Sequence, residues 1–209
     1  NIINLNKYLL MLNISKEQLE ENLDYPILIE TLRKAFQEKY IVPIRHHHNY
    51  QNPKEGVEST LLLMPAWQVG KYLGVKMVTV SPKNGKYNLP SIHGIYTLFD
   101  AAQGMPLAQI NATTLTAQRT AAASALASSF LSKKNSKTLL MVGTGALAPE
   151  LIRAHISVRP IETVYVLGRN LEKAKAVSNF ITKYLQVSEK ANFEVFPIEN
   201  IEEGIEKAD

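Results

Sequence analysis

A chain of 209 residues with 45% apolar and 20% charged residues has the composition of an ordinary globular protein and can bury one large core or two small ones. Its net charge is +4 and it has no cysteine, which excludes a disulfide framework, a thiolate nucleophile and a thiolate metal site. The positive excess is too diffuse for nucleic acid and suits small anions such as carboxylates and phosphates; with no apolar run of membrane-spanning length and no visible signal peptide, the expectation is a soluble cytoplasmic protein without nucleic-acid or membrane partners.

Residues 1–12 predict a short strand or helix. Ser15-Lys16-Glu17-Gln18 predicts a helix start, with Ser15 as N-cap and Gln18 completing a capping box. A second helix is predicted over residues 26–40, with Ile27, Leu28, Thr31, Leu32, Ala35 and Phe36 on its buried face. Arg45 closes an extended run, where a guanidinium can clamp a carboxylate in bidentate fashion or simply stand at the surface. His46-His47-His48 follow. Adjacent side chains in extended backbone point to opposite faces, so they converge poorly on one ion and no metal is expected.

A strand is predicted over residues 59–64, ended by Pro65-Ala66-Trp67. Residues 74–80 alternate, with Val75, Met77 and Thr79 on one side and Lys76 on the other. A strand lysine is ordinarily solvent-exposed; facing a closed pocket, it becomes a charge partner or proton donor. A turn at 81–85, a strand at 92–99, a turn at 100–104 and a returning strand at 106–111 complete an antiparallel sheet over residues 59–111. Residues 115–131 form an alanine-rich helix with Arg119 near its start. Its small residues Ala121, Ala122, Ala125 and Ser129 permit close packing.

The apolar run Thr138-Leu139-Leu140-Met141-Val142 breaks into Gly143-Thr144-Gly145-Ala146-Leu147-Ala148, and a helix is predicted from there to about Val158. Strand, glycine turn, helix is the order a dinucleotide site needs. Gly143 makes the tight turn, Gly145 lets a pyrophosphate approach the backbone, and Ala148 is small enough for helix and strand to pack. The free N–H groups of the helix start then face the phosphates. An ordinary glycine turn is the alternative. A second strand, Thr163-Val164-Tyr165-Val166-Leu167, ends in Gly168-Arg169-Asn170, where the ribose of a bound cofactor lies in such folds. Arginine there suits a ribose 2′-phosphate, so NADP(H) is preferred and NAD(H) remains open; a solvated arginine at a helix start is the alternative. A helix to about Tyr184, a strand at 193–196 and a connection at 198–208 follow.

Seven stretches together carry a resemblance. They are Leu63-Met64-Pro65-Ala66, Gly74-Val75-Lys76, Pro82-Lys83-Asn84, Leu89-Pro90-Ser91, residues 100–106, Leu115-Thr116-Ala117-Gln118-Arg119-Thr120-Ala121-Ala122-Ala123-Ser124-Ala125, and residues 142–148. In this order they resemble the ornithine cyclodeaminase/mu-crystallin family, which includes NAD(P)H-dependent ketimine and cyclic-imine reductases. The run around Arg119 is the most specific of them.

The resemblance implies a two-domain α/β subunit. A mixed-sheet substrate and dimerisation domain takes residues 1–115, a connecting helix 116–134, and a Rossmann NAD(P)-binding domain 135–209, its C-terminal part missing from this chain. It also implies a homodimer and a small imine or amino-acid carboxylate as ligand. Arg45, Lys76 and Arg119 then hold the substrate carboxylate, with Lys76 and Arg119 at the reacting centre. Met64 lines the substrate pocket, and Ser91, Thr120, Gly143, Thr144, Gly145, Ala146, Leu147, Arg169 and Asn170 contact the cofactor. The activity implied is reduction of Δ1-pyrroline-2-carboxylate to L-proline, or of Δ1-piperideine-2-carboxylate to L-pipecolate. Lys76 or a water supplies the proton. The alternatives are ornithine cyclodeamination, a plain amino-acid dehydrogenase, and non-catalytic binding of NADPH and a small ligand. Two departures bear on this choice. Cyclodeaminases carry a glutamate where this chain has Leu62, and the family's functional aspartate falls beyond residue 209.

Overall fold

The computed structural model describes residues 11–187 and 193–209; the element expected over residues 1–12 lies almost wholly outside them. The described chain forms two compact units. One holds residues 11–22 and Gln37–Thr116, the other Leu23–Phe36 and Ala117–Asp209. Among the described residues no helix is long and apolar enough to cross a membrane.

The first unit is built on a six-stranded sheet. Its strands are β1 (Leu12–Ile14), β2 (His46–Asn52), β3 (Val57–Trp67), β4 (Tyr72–Val80), β5 (Ile92–Asp100) and β6 (Pro106–Asn111), in the order β1-β6-β5-β4-β3-β2. β2 to β6 run antiparallel and β1 adds to β6 in parallel, which makes the sheet mixed. Helix α1 (Lys16–Asn22) begins at the expected capping box: Gln18 Oε1 accepts from the Ser15 N–H at 2.9 Å and Ser15 Oγ accepts from the Gln18 N–H at 3.3 Å. The β5–β6 turn is fixed by Asp100, whose Oδ1 accepts from the N–H groups of Ala102 and Gln103 at 2.7 and 3.1 Å.

Pro65 does not end β3, which runs on to Trp67. Proline removes a ladder donor, so it must stand where none is needed. β2 reaches only as far as His46 opposite Leu63, and the next link on that side is the Ile41–Trp67 bridge. Pro65 falls in the gap between them.

The second unit holds α2 (Tyr25–Ala35) and most of α3 (Ala112–Leu131). These are followed by β7 (Thr138–Val142), α4 (Ala148–Val158), β8 (Thr163–Leu167), α5 (Leu171–Val187), β9 (Glu194–Ile198) and α6 (Ile201–Lys207). The three strands are parallel in the order β7-β8-β9. β8 alternates strictly: Val164 and Val166 are fully buried among Ile152, Ile156, Ala174 and Ile181 of α4 and α5.

Several expectations change here. α2 ends at Ala35, well before residue 40, because Gln37-Glu38-Lys39 offers no apolar residue to extend its stripe. The buried stripe is Tyr25 and Ile29 flanked by Leu28 and Leu32, while Ile27 and Phe36 are exposed. That stripe packs on Ala121, Ala122, Ala125 and Ala154, so residues 23–36 belong with the second unit and not with a continuous 1–115 domain. α3 also starts earlier than expected, at Ala112, since Asn111 Oδ1 caps it by accepting from the Thr114 N–H at 3.0 Å.

Candidate functional site

In the first unit, β-sheet register brings together two of the sequence-predicted substrate residues. Met64 of β3 stands directly opposite Lys76 of β4. Opposed residues of antiparallel strands share a face. Arg45 is exposed and immediately precedes β2, whose pairing with β3 ends at His46 opposite Leu63. Met64 and Lys76 thus form one row, and Arg45 lies just before the strand beside it. Lys76 is half-buried, with Nζ 3.4 Å from Thr116 Oγ1 in the first turns of α3. Leu62 occupies the next row on the same face, opposite Val78. Ser91 is outside this row: it lies exposed at the far end of the β4–β5 hairpin, its carbonyl accepting from the Ser81 N–H at 2.7 Å.

The three histidines lie in β2 and are exposed. His46 and His48 share a side, with ring centroids 6.1 Å apart, and His47 faces the other way. Sequence reasoning passed over Thr116 and Tyr96, the residue opposite Lys76 on β5. Tyr96 has the strand period as its signal, but only register shows that it neighbours Lys76.

In the second unit the C-terminal ends of β7 and β8 open into a groove of about 760 Å³ lined by Gly143, Thr144, Gly145, Arg169 and Asn170 together with Val142, Leu167, Gly168 and Lys173. Gly143 holds φ +118°, a conformation side chains rarely adopt, and its N–H donates to the Leu167 carbonyl at 2.7 Å. A Cβ on Gly145 would meet nothing within 4 Å, so the space above it is open to a ligand. Ala148 is buried against the strands, as its place in the turn requires, and Ala146 and Leu147 are exposed beside the groove. Asn170 Oδ1 caps α5 by accepting from the Lys173 N–H at 3.1 Å. Arg169 and Lys173 are both exposed, and the groove lining contains no carboxylate. These features fit a dinucleotide: glycines under the pyrophosphate, a helix start beside it and cations at the ribose end. Lys173 was missed in the sequence because a lysine in a first helical turn reads as solvated. Arg119 is exposed and Thr120 half-buried on α3.

The two glycines separate fold from binding. Gly143→Ala should cost about 1 kcal/mol or more through its positive φ. Gly145→Ala should leave the melting temperature unchanged and weaken dinucleotide binding about tenfold or more. Calorimetry and fluorescence titration check both.

The model of the ornithine cyclodeaminase/mu-crystallin family matches residues 11–209. An uncharacterised protein of Schizosaccharomyces pombe is 42% identical over 198 residues, 94% of this chain and 59% of the relative. A Δ1-pyrroline-2-carboxylate reductase of Colwellia psychrerythraea is 37% identical over 184 residues, 87% of this chain and 58% of the relative. Among solved structures, Thermococcus litoralis Δ1-pyrroline-2-carboxylate reductase in complex with NADH and L-proline aligns with TM-score 0.80 at 31% identity, over 95% of this chain and 60% of that one. The chain thus spans about three-fifths of the length of these relatives.

Proposed function

The chain belongs to the ornithine cyclodeaminase/mu-crystallin family, and on that premise we propose that the whole protein reduces a cyclic imine carboxylate to the cyclic amino acid with a nicotinamide cofactor. The substrate is Δ1-pyrroline-2-carboxylate, giving L-proline, or its six-membered counterpart, giving L-pipecolate. What carries the reading is the Met64–Lys76 pair in a chain 37% identical to a reductase of that name.

The cofactor, when bound in the glycine groove, supplies hydride to the imine carbon. The residues of the chain bind, orient and move a proton. Arg45 and Lys76, with Arg119 of α3, hold the carboxylate by charge-assisted hydrogen bonds and so fix the imine carbon for attack. Met64 packs on the apolar part of the ring. Protonated imine is the better electrophile, and the Lys76 ammonium or a water delivers that proton to the nitrogen.

Leu62 sets the reductase reading above cyclodeamination. It shares the Lys76 face, one row along, and a leucine there leaves a substrate's terminal ammonium without an anionic partner. Arg169 and Lys173, in a groove lined by no carboxylate, favour NADP(H) over NAD(H). A homodimer fits the reverse face of the first unit's sheet, where the opposed pair Met77 and Ile95 stands 37% and 43% exposed.

Absorbance at the reduced nicotinamide band, followed with NADPH and NADH against five- and six-membered imine carboxylates, tests the reading, with ornithine as control. NADPH consumption with an imine is the expected result. Arg119→Ala should lose most of that activity while dinucleotide affinity survives. Ammonia release from ornithine without net cofactor turnover would move the assignment to cyclodeamination.

A further inference from the structure

The row that holds Met64 and Lys76 continues into β5, where Tyr96 stands directly opposite Lys76. Opposed residues have their Cβ atoms about 5 Å apart on one face, so Tyr96 is an immediate neighbour of the lysine. Its ring does not stand away from the sheet. It lies over Gly74, two residues along β4, and a Cβ on Gly74 would fall inside the phenol. Glycine at 74 is therefore a notch that seats the ring. Tyr96 is half-buried, and burial pushes its phenol above the usual range, so the hydroxyl stays neutral wherever the enzyme works.

These observations describe a flat, uncharged aromatic surface held beside an ammonium on the same face of the sheet. Pockets for small acids combine a few polar anchors with such walls. We propose that Tyr96, seated on Gly74, is a specificity-determining residue that limits the ring size of the imine. This rests on the assignment of Lys76 as the carboxylate anchor. With the carboxylate held at Lys76 and the phenol fixed on Gly74, an added ring methylene must displace the phenol, so the five-membered imine is preferred. One methylene in a fitted pocket discriminates by about tenfold or more.

The test measures kcat/KM of the whole protein for the five- and six-membered imine carboxylates in the wild type, Y96F, Y96A and G74A. Y96F keeps the ring surface and should keep the wild-type preference. Y96A removes the wall and G74A pushes the phenol off its seat, so both should shift the preference toward the six-membered imine by about tenfold or more. Equal losses on both substrates, in variants with wild-type circular dichroism, would reduce Tyr96 to a structural residue and overturn the proposal while the reductase assignment stands. A wild type that reduces neither imine would overturn both.

Discussion

Lys76→Met is expected to lower kcat/KM for the imine carboxylate by about 100- to 1,000-fold, with dinucleotide affinity within about twofold of wild type. Methionine keeps the unbranched stem and its packing beside Met64 and deletes the charge with the contact to Thr116. Lys76 is half-buried on its strand, with Nζ near Thr116 Oγ1. A substrate carboxylate arriving there without the ammonium loses its charge-assisted hydrogen bond and stays partly desolvated. The loss should fall on kcat and KM together, because the same contact binds the acid and positions its imine carbon. Arginine at 76 should not restore activity: a planar fork on a longer stem cannot occupy the place of a compact ammonium. Near-normal turnover in Lys76→Met would remove the lysine from the site.

The nucleotide half of the chain was readable from sequence for a local reason. β7, the glycine turn and α4 are contiguous, and their signals all lie within one short window: an apolar run, two glycines and a helical period. β7 and β8 accordingly occupy the expected residues, and the groove forms at their C-terminal ends. The first unit was readable by type and not by arrangement. The alternation of residues 74–80 put Lys76 opposite in face to Val75 and Met77, but alternation cannot say which residue of a neighbouring strand lies beside it. Register does, and register is set by hairpin turns and long-range packing. This is why the Met64–Lys76–Tyr96 row and the seating of Tyr96 on Gly74 needed the fold. Pro65 misled for a related reason: a proline is a strand breaker only where its neighbour strand needs the missing donor. The placement of α2 was hidden by distance along the chain, since Tyr25 and its partner Glu150 are 125 residues apart.

That partnership leads to the larger stability effect. Arg153→Met should destabilise the second unit by about 3 kcal/mol, read as a drop of about 6–12 °C in its calorimetric transition. Arg153 Nη1 donates to both oxygens of Glu150 at 3.1 Å, and the two side chains are only 13% and 15% exposed. The Tyr25 hydroxyl donates to the same carboxylate, and the guanidinium lies over the rings of Tyr25 and Tyr184, 5.6 and 4.3 Å from their centroids. Burial first, and then the bond to Glu150, push the Tyr25 phenol far above its usual range, so it remains a donor at every working pH. Removing Arg153 leaves Glu150 with the phenol alone and the carboxylate without a countercharge. Tyr25→Phe should cost less, about 1 kcal/mol, because the ion pair survives. The double variant Glu150→Leu/Arg153→Met should recover most of the loss, since apolar residues of similar volume replace a buried pair at little net cost. If the double variant is as unstable as Arg153→Met, the guanidinium acts through its contacts with Tyr25 and Tyr184. The docking of α2 would then rest on the aromatic stack and not on the carboxylate.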